Sequence, residues 1–120
     1  MDANQPPARL RILLIRFSST SDILLTTPVI RAISQQIEGA EIHFLVNRKN
    51  QELLKANPQL SKIHVFQGDT DAIVEELKAE NFDYIVDLQH NRRSKRICQQ
   101  LNIPCSFLIT HSFTRWFFVR

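Results

Sequence analysis

Short runs of apolar, strand-compatible residues at 11–17, 41–46, 62–66, 82–88 and 106–109 alternate with segments of helical period at 22–36, 51–56, 72–80, 92–101 and 112–120. That alternation is the tightest constraint on the fold, because strands separated by helices are joined by right-handed crossovers and pair in parallel. The run 11–17 is nearly continuous in apolar residues, as expected of a central parallel strand covered on both faces. A chain of 120 residues, 43% hydrophobic and 22% charged, can bury a core without disulfide or metal staples. The expected architecture is α/β: a Rossmann-like parallel sheet with flanking helices, in one domain over 11–120. A frayed lead-in at 1–10, carrying Pro6-Pro7, precedes it.

Local punctuation supports these bounds. Gly39 closes the first unit, Asn57-Pro58 closes the short second helix, and Gly68-Asp69-Thr70-Asp71 is a turn that supplies a helix N-cap. Pro28 leaves two starts open for the first helix. Thr27 can cap it with Pro28 at the first position, or it can begin at Asp22 and kink at Pro28. Gly39 and Gly68 are the chain's two glycines, so neither a dinucleotide fingerprint nor a P-loop can be built. Cys98 and Cys105 lie in no CxxC or zinc-type spacing and are expected to be reduced thiols in a cytosolic protein, with no metal. The N-terminus lacks an apolar signal core, and no stretch reaches the roughly 18 apolar residues of a spanning helix.

Three polar clusters follow three of the strands: Ser18, Ser19, Ser21 and Asp22; then Asn47, Arg48, Lys49 and Asn50; then Gln89 to Arg93 and Ser94. In a parallel sheet all three share the carboxyl rim, where ligands of open α/β sheets bind. Charge is distributed unevenly: 88–120 has six Lys/Arg and no acid, whereas 69–87 has seven acids and one Lys. A run of this kind is either a solvated basic face or an anion-facing patch. Asp22 is likewise open to two readings. Ser19 at N-cap with Asp22 three residues on fits a capping box, and a carboxylate among cations and hydroxyls also fits a general base. Asp87 is expected to cap the turn that follows it, and His43 and His64 to be plain sheet positions. His90 and His111 follow strands without a metal-ligand partner at a useful spacing. Phe113, Trp116, Phe117 and Phe118 form a helical aromatic stripe that reads as core, with a membrane-surface contact through Arg115 and Arg120 as the alternative.

The run Ile15-Arg16-Phe17-Ser18-Ser19-Thr20-Ser21-Asp22-Ile23-Leu24-Leu25-Thr26-Thr27-Pro28 resembles the opening motif of the bacterial lipopolysaccharide heptosyltransferases, a strand followed by Ser-Ser-x-Gly-Asp and a helix with Thr-x-Pro. Asp87-Leu88-Gln89-His90-Asn91-Arg92-Arg93-Ser94 is similar to that family's Asp-x-Gln-x-x-x-(Arg/Lys)-Ser segment. The likeness runs from 11 to 120, which is the N-terminal part of a full-length member. It implies the acceptor-binding half of a two-domain, GT-B-type, inverting glycosyltransferase that transfers heptose to the lipopolysaccharide inner core. By this resemblance Asp22 would be the catalytic base, and Ser18, Ser19, Ser21, Thr26 and Thr27 would contact the acceptor or set the turn. Arg48, Lys49, Arg92, Arg93 and Ser94 would hold its anionic groups. The family needs no resident cofactor; its nucleotide-sugar donor, expected to be ADP-heptose, binds mainly to a second Rossmann-like domain that this chain lacks. This chain alone is therefore expected not to turn over, and its ending in mid-pattern at Arg120 points to a cut.

The implied location is cytoplasmic, with peripheral contact at the inner membrane as the membrane option. One position departs from the family pattern: its glycine before the aspartate is Ser21, and serine supplies positive φ or close ligand approach less readily. A non-catalytic binding or scaffold domain, in which that change has abolished turnover, is the alternative. A nucleic-acid binder using Arg92 to Arg96 is disfavoured, because the basic run lacks interleaved aromatics.

Overall fold

The computed structural model describes residues 10–17, 26–37, 39–89 and 91–106. The chain runs β1 (Arg11–Ile15), α1 (Thr27–Gln36), β2 (Glu41–Asn47), a 3₁₀ turn (Arg48–Asn50), α2 (Gln51–Lys55), β3 (Lys62–Phe66), α3 (Thr70–Lys78), β4 (Tyr84–Asp87), α4 (Arg92–Leu101) and β5 (Cys105–Ser106). The five strands form one sheet in the order β3-β2-β1-β4-β5. Every pairing is parallel, with Ile12 opposite Ile42 on one side of β1 and Tyr84 on the other. The α/β reading of the sequence is thus correct. The chain steps outward from β1 to β3 and then crosses back to β4, so the strand order reverses between β1 and β4. In doubly wound sheets the ligand crevice opens at such a reversal, beyond the carboxyl ends of the strands.

The sheet is apolar on both faces, as β1 anticipates. Ile12 and Leu14 pack with Ile42, Phe44 and Val86 beneath Ile30 and Ile33 of α1 and Leu54 of α2. Leu13 and Ile15 face the other way, packing with Leu45 and Ile85 under Val74 and Leu77 of α3 and Ile97 and Leu101 of α4. Burying such side chains supplies about 1.5–3 kcal/mol each before entropy is counted, which is what holds helices on both faces.

The described elements differ from expectation at several bounds. Among the described residues the first helix spans Thr27–Gln36, with Thr26 at its N-cap and Pro28 in its first turn, and the early start at Asp22 that the resemblance favours lies outside them. A proline in the first turn has no N–H to leave unpaired, so the later start needs no kink. β4 begins at Tyr84 rather than at residue 82. The chain leaves α3 through Asn81 in the left-handed region, φ 57°, and Phe82 is buried in the core ahead of the paired strand. β5 is described over Cys105–Ser106, and the expected strand beyond it and the final helix at 112–120 lie outside the described residues. No helix among the described residues is long and apolar enough to cross a membrane.

Candidate functional site

At the carboxyl rim, hydrogen bonds join the ends of three adjacent strands. The Ile15 carbonyl accepts from the N–H groups of both Leu88 and Gln89, each at 3.0 Å. Arg16 Nη1 donates to the Leu88 carbonyl. Phe17 reaches both neighbours: its N–H donates to Gln89 Oε1 at 3.1 Å, and its carbonyl accepts from Asn47 N at 3.2 Å. The stem that leads into residues 18–25 is therefore clamped between the segments that follow β2 and β4.

The third corner is built on Asp87 and Ser94. Asn91 caps α4 by accepting from Ser94 N at 2.9 Å, and Ser94 Oγ accepts from Asn91 N at the same distance, a reciprocal box. The Ser94 hydroxyl then donates to Asp87 Oδ2 at 2.7 Å, while Asp87 Oδ1 accepts from Gln89 N at 3.1 Å. Asp87 is therefore the turn cap expected of it. Ser94, expected to hold an anionic group, is wholly buried with its hydroxyl bonded inside the fold. What it does is fix the direction in which α4 leaves the sheet.

That direction sets Arg92, Arg93 and Arg96 around an open cleft of about 520 Å³, completed by Gly68, Thr70 and Asn91. The Arg93 guanidinium carbon lies 5.2 Å from the centre of the Phe66 ring, a cation–π contact. Phe66 in turn stacks on Phe17, with ring centres 4.9 Å apart. The cation is thus held against the same stem that the backbone bonds clamp. The first turn of α4 contains no acid. Three cations crowd a helix end whose partial charge is already positive, an arrangement that favours an anion in the cleft.

Arg48 and Lys49, in the 3₁₀ turn after β2, are exposed on the same rim but do not line this cleft. Thr26 is buried at the N-cap of α1 and Thr27 is partly buried in its first turn. Ser18, Ser19, Ser21 and Asp22 lie outside the described residues, as does His90. Asn91 belongs to the polar cluster expected at this rim, whereas sequence reasoning missed Arg96, Gly68 and Thr70 as cleft residues. Arg96 carried a usable signal, since it follows Arg92 by one helical turn. Gly68 and Thr70 carried none, because they reach the cleft through the α3–α4 packing.

No family model matches the chain. In sequence it is similar to lipopolysaccharide heptosyltransferase 1 of Campylobacter coli, 27% identical over an 86-residue alignment that covers 67% of this chain and 25% of that protein. In structure it is similar to a glycosyl transferase family 9 protein from Veillonella parvula, with a TM-score of 0.73 and 20% identity over 90% of this chain and 36% of that one. The chain is heptosyltransferase-like in sequence and in fold. The ADP-heptose lipopolysaccharide heptosyltransferase II of E. coli has the same heptosyltransferase fold, with a TM-score of 0.71 and 19% identity over 79% of this chain and 29% of that one. The chain spans about a quarter of the length of the curated relative and about a third of the solved structures.

Proposed function

We propose that this chain is the acceptor-binding domain of a heptosyltransferase-like glycosyltransferase, and that the arginine cleft receives an anionic group of the lipopolysaccharide inner core. The observation that carries the reading is the set Arg92, Arg93 and Arg96 around one cleft at the carboxyl rim. Guanidinium groups bind carboxylate and phosphate with paired, directional hydrogen bonds, and inner-core sugars present both anions. Arg48 and Lys49 extend the positive rim, and Ser94 acts through Asn91 and Asp87 by orienting α4.

Asp22 is the proposed base. It takes the proton of the acceptor hydroxyl as that oxygen attacks the anomeric carbon from the face opposite the departing nucleoside diphosphate, so configuration inverts in a single displacement. Ser18, Ser19, Ser21, Thr26 and Thr27 flank that carboxylate in sequence and are proposed to orient the acceptor hydroxyl or shape the turn. The nucleotide sugar, ADP-heptose by analogy with the E. coli relative, would be bound mainly by a second domain. An acceptor embedded in lipid implies a cytoplasmic protein in peripheral contact with the inner membrane.

The test is to join this chain to the nucleotide-sugar domain of a heptosyltransferase and follow heptose transfer from ADP-heptose to an inner-core acceptor. Turnover lost by a factor of about 10² or more in Asp22→Ala supports the reading, since a positioned base contributes that much. Equal turnover in both would leave Asp22 a structural cap. Absence of turnover in the unsubstituted protein, with acceptor binding intact, would favour the scaffold alternative.

A further inference from the structure

On the opposite rim of the sheet, His43 of β2, His64 of β3 and Glu80, just beyond α3, bring their donor atoms together within 4.8 Å of one another. Both imidazoles are buried, 3% and 1% exposed, and their rings stack with centres 5.2 Å apart. We propose that His43 Nδ1, His64 Nε2 and the Glu80 carboxylate form a site for a divalent transition metal, with zinc the best chemical match. Two imidazoles and a carboxylate are a recurrent three-ligand set for that ion and leave its fourth position to water.

Several independent observations fit. His43 Nδ1 and His64 Nε2 are 3.0 Å apart, close to the ~3.3 Å that separates neighbouring ligands around a tetrahedral ion with metal–nitrogen bonds of about 2.0–2.1 Å. Glu80 Oε2 is 4.0 Å from His64 Nε2, and as a ligand it would exchange its contacts with Lys62 Nζ at 2.8 Å and Arg11 Nη2 at 2.9 Å for the ion. Each histidine also has a carboxylate on its far nitrogen: Glu76 Oε2 lies 2.5 Å from His64 Nδ1, and Glu41 Oε2 lies 3.9 Å from His43 Nε2. A hydrogen-bonded carboxylate, as Glu76 is to His64, fixes the tautomer and raises the basicity of a ligating imidazole, while Glu41 at 3.9 Å acts on His43 only by its charge. Among the described residues three carboxylates, Glu41, Glu76 and Glu80, lie around the two imidazoles, with Arg11 bound to Glu41 and Glu80 and Lys62 bound to Glu80.

The metal-free arrangement is self-consistent as well. His64 donates from Nδ1 to Glu76, which leaves its Nε2 to accept from His43 Nδ1. Metal binding requires that the His43 proton move from Nδ1 to Nε2, with no net loss of a proton, and that Glu80 turn from its cations to the ion. The ion would then tie β2, β3 and the end of α3 together at the rim remote from the arginine cleft.

Asp87, Cys98 and Cys105 also cluster, with the two sulfurs 3.0 Å apart, and would compete for a thiophilic metal, so the experiment must separate the two sites. The 120-residue chain, stripped with a chelator, is titrated with Co²⁺ and its visible spectrum recorded, followed by displacement with Zn²⁺. The site predicts a d–d band saturating at one equivalent, without a sulfur-to-cobalt charge-transfer band, and unchanged in a Cys98→Ser/Cys105→Ser variant. Glu76→Gln, at a half-exposed side chain that leaves the core intact, should weaken binding by about 10–100-fold, and Glu80→Gln by at least as much. A featureless titration, a band that disappears with the cysteines, or unchanged affinity in both glutamine variants would each overturn the proposal.

Discussion

Ser94 shows how a residue can matter to a site without facing it. Its hydroxyl completes a box with Asn91 and donates to the buried Asp87, so Ser94→Ala removes half of the capping box and leaves a buried carboxylate short of a donor. We expect unfolding free energy to fall by about 1–3 kcal/mol in denaturant titration, with any loss of anion affinity accompanying that loss of stability. A drop in affinity without a drop in stability would instead put the hydroxyl on the ligand. The cysteines make a second residue-scale prediction. The hydrogen bond to Cys105, together with burial, pushes the Cys98 thiol up, and the same hydrogen bond pulls Cys105 down. Cys105 is also the exposed partner. Alkylation of the native chain near neutral pH should therefore label Cys105 first, which peptide mass mapping reads directly. The role of Asp87 was legible in the sequence as a carboxylate before a polar turn. Burial of Ser94 was not, because it depends on how α4 is laid against β4.

At the scale of elements, α4 carries its cations at the end where they oppose its dipole. Arg92→Glu should stabilise the domain by about 0.3–1 kcal/mol at low ionic strength while weakening anion binding, so a thermal melt and a binding isotherm should move in opposite senses. Elements whose period and caps agree were readable to the residue. Lys62–Phe66 and Arg92–Leu101 are found where their patterns set them. Elements with competing signals were not: Pro28 suits either a kink or a first turn, and tertiary packing of Phe82 against His43, with rings edge-on at 4.9 Å, overrides its strand propensity.

For the whole molecule, the histidine cluster couples stability to acidity. Burial first, and then the neighbouring His64, lower His43 from its ordinary 6.5 to about 4; Arg11 acts in the same sense, while Glu80 and Glu41 partly oppose it. The folded state thus binds the proton less well than the unfolded chain. In the presence of a chelator, stability from this group is complete above about pH 6.5 and falls progressively toward pH 4, by a total of about 3 kcal/mol. Unfolding midpoints measured across that range, compared with His43→Phe, check the sign and the size. The parallel sheet and its rim were legible in the sequence because strand and helix periods alternate without a break. The cleft itself was not, since Gly68 and Thr70 join the arginines only through the packing of α3 on α4.

Anion capture by the arginine cleft is tested most directly by calorimetric titration of the chain with an inner-core fragment bearing carboxylate and phosphate groups. Binding that weakens about tenfold or more in Arg92→Ala/Arg93→Ala, and that falls as salt rises, is the expected result, since each charged hydrogen bond lost costs about 1.5 kcal/mol or more. Equal affinity in the unsubstituted and doubly substituted chains would contradict it.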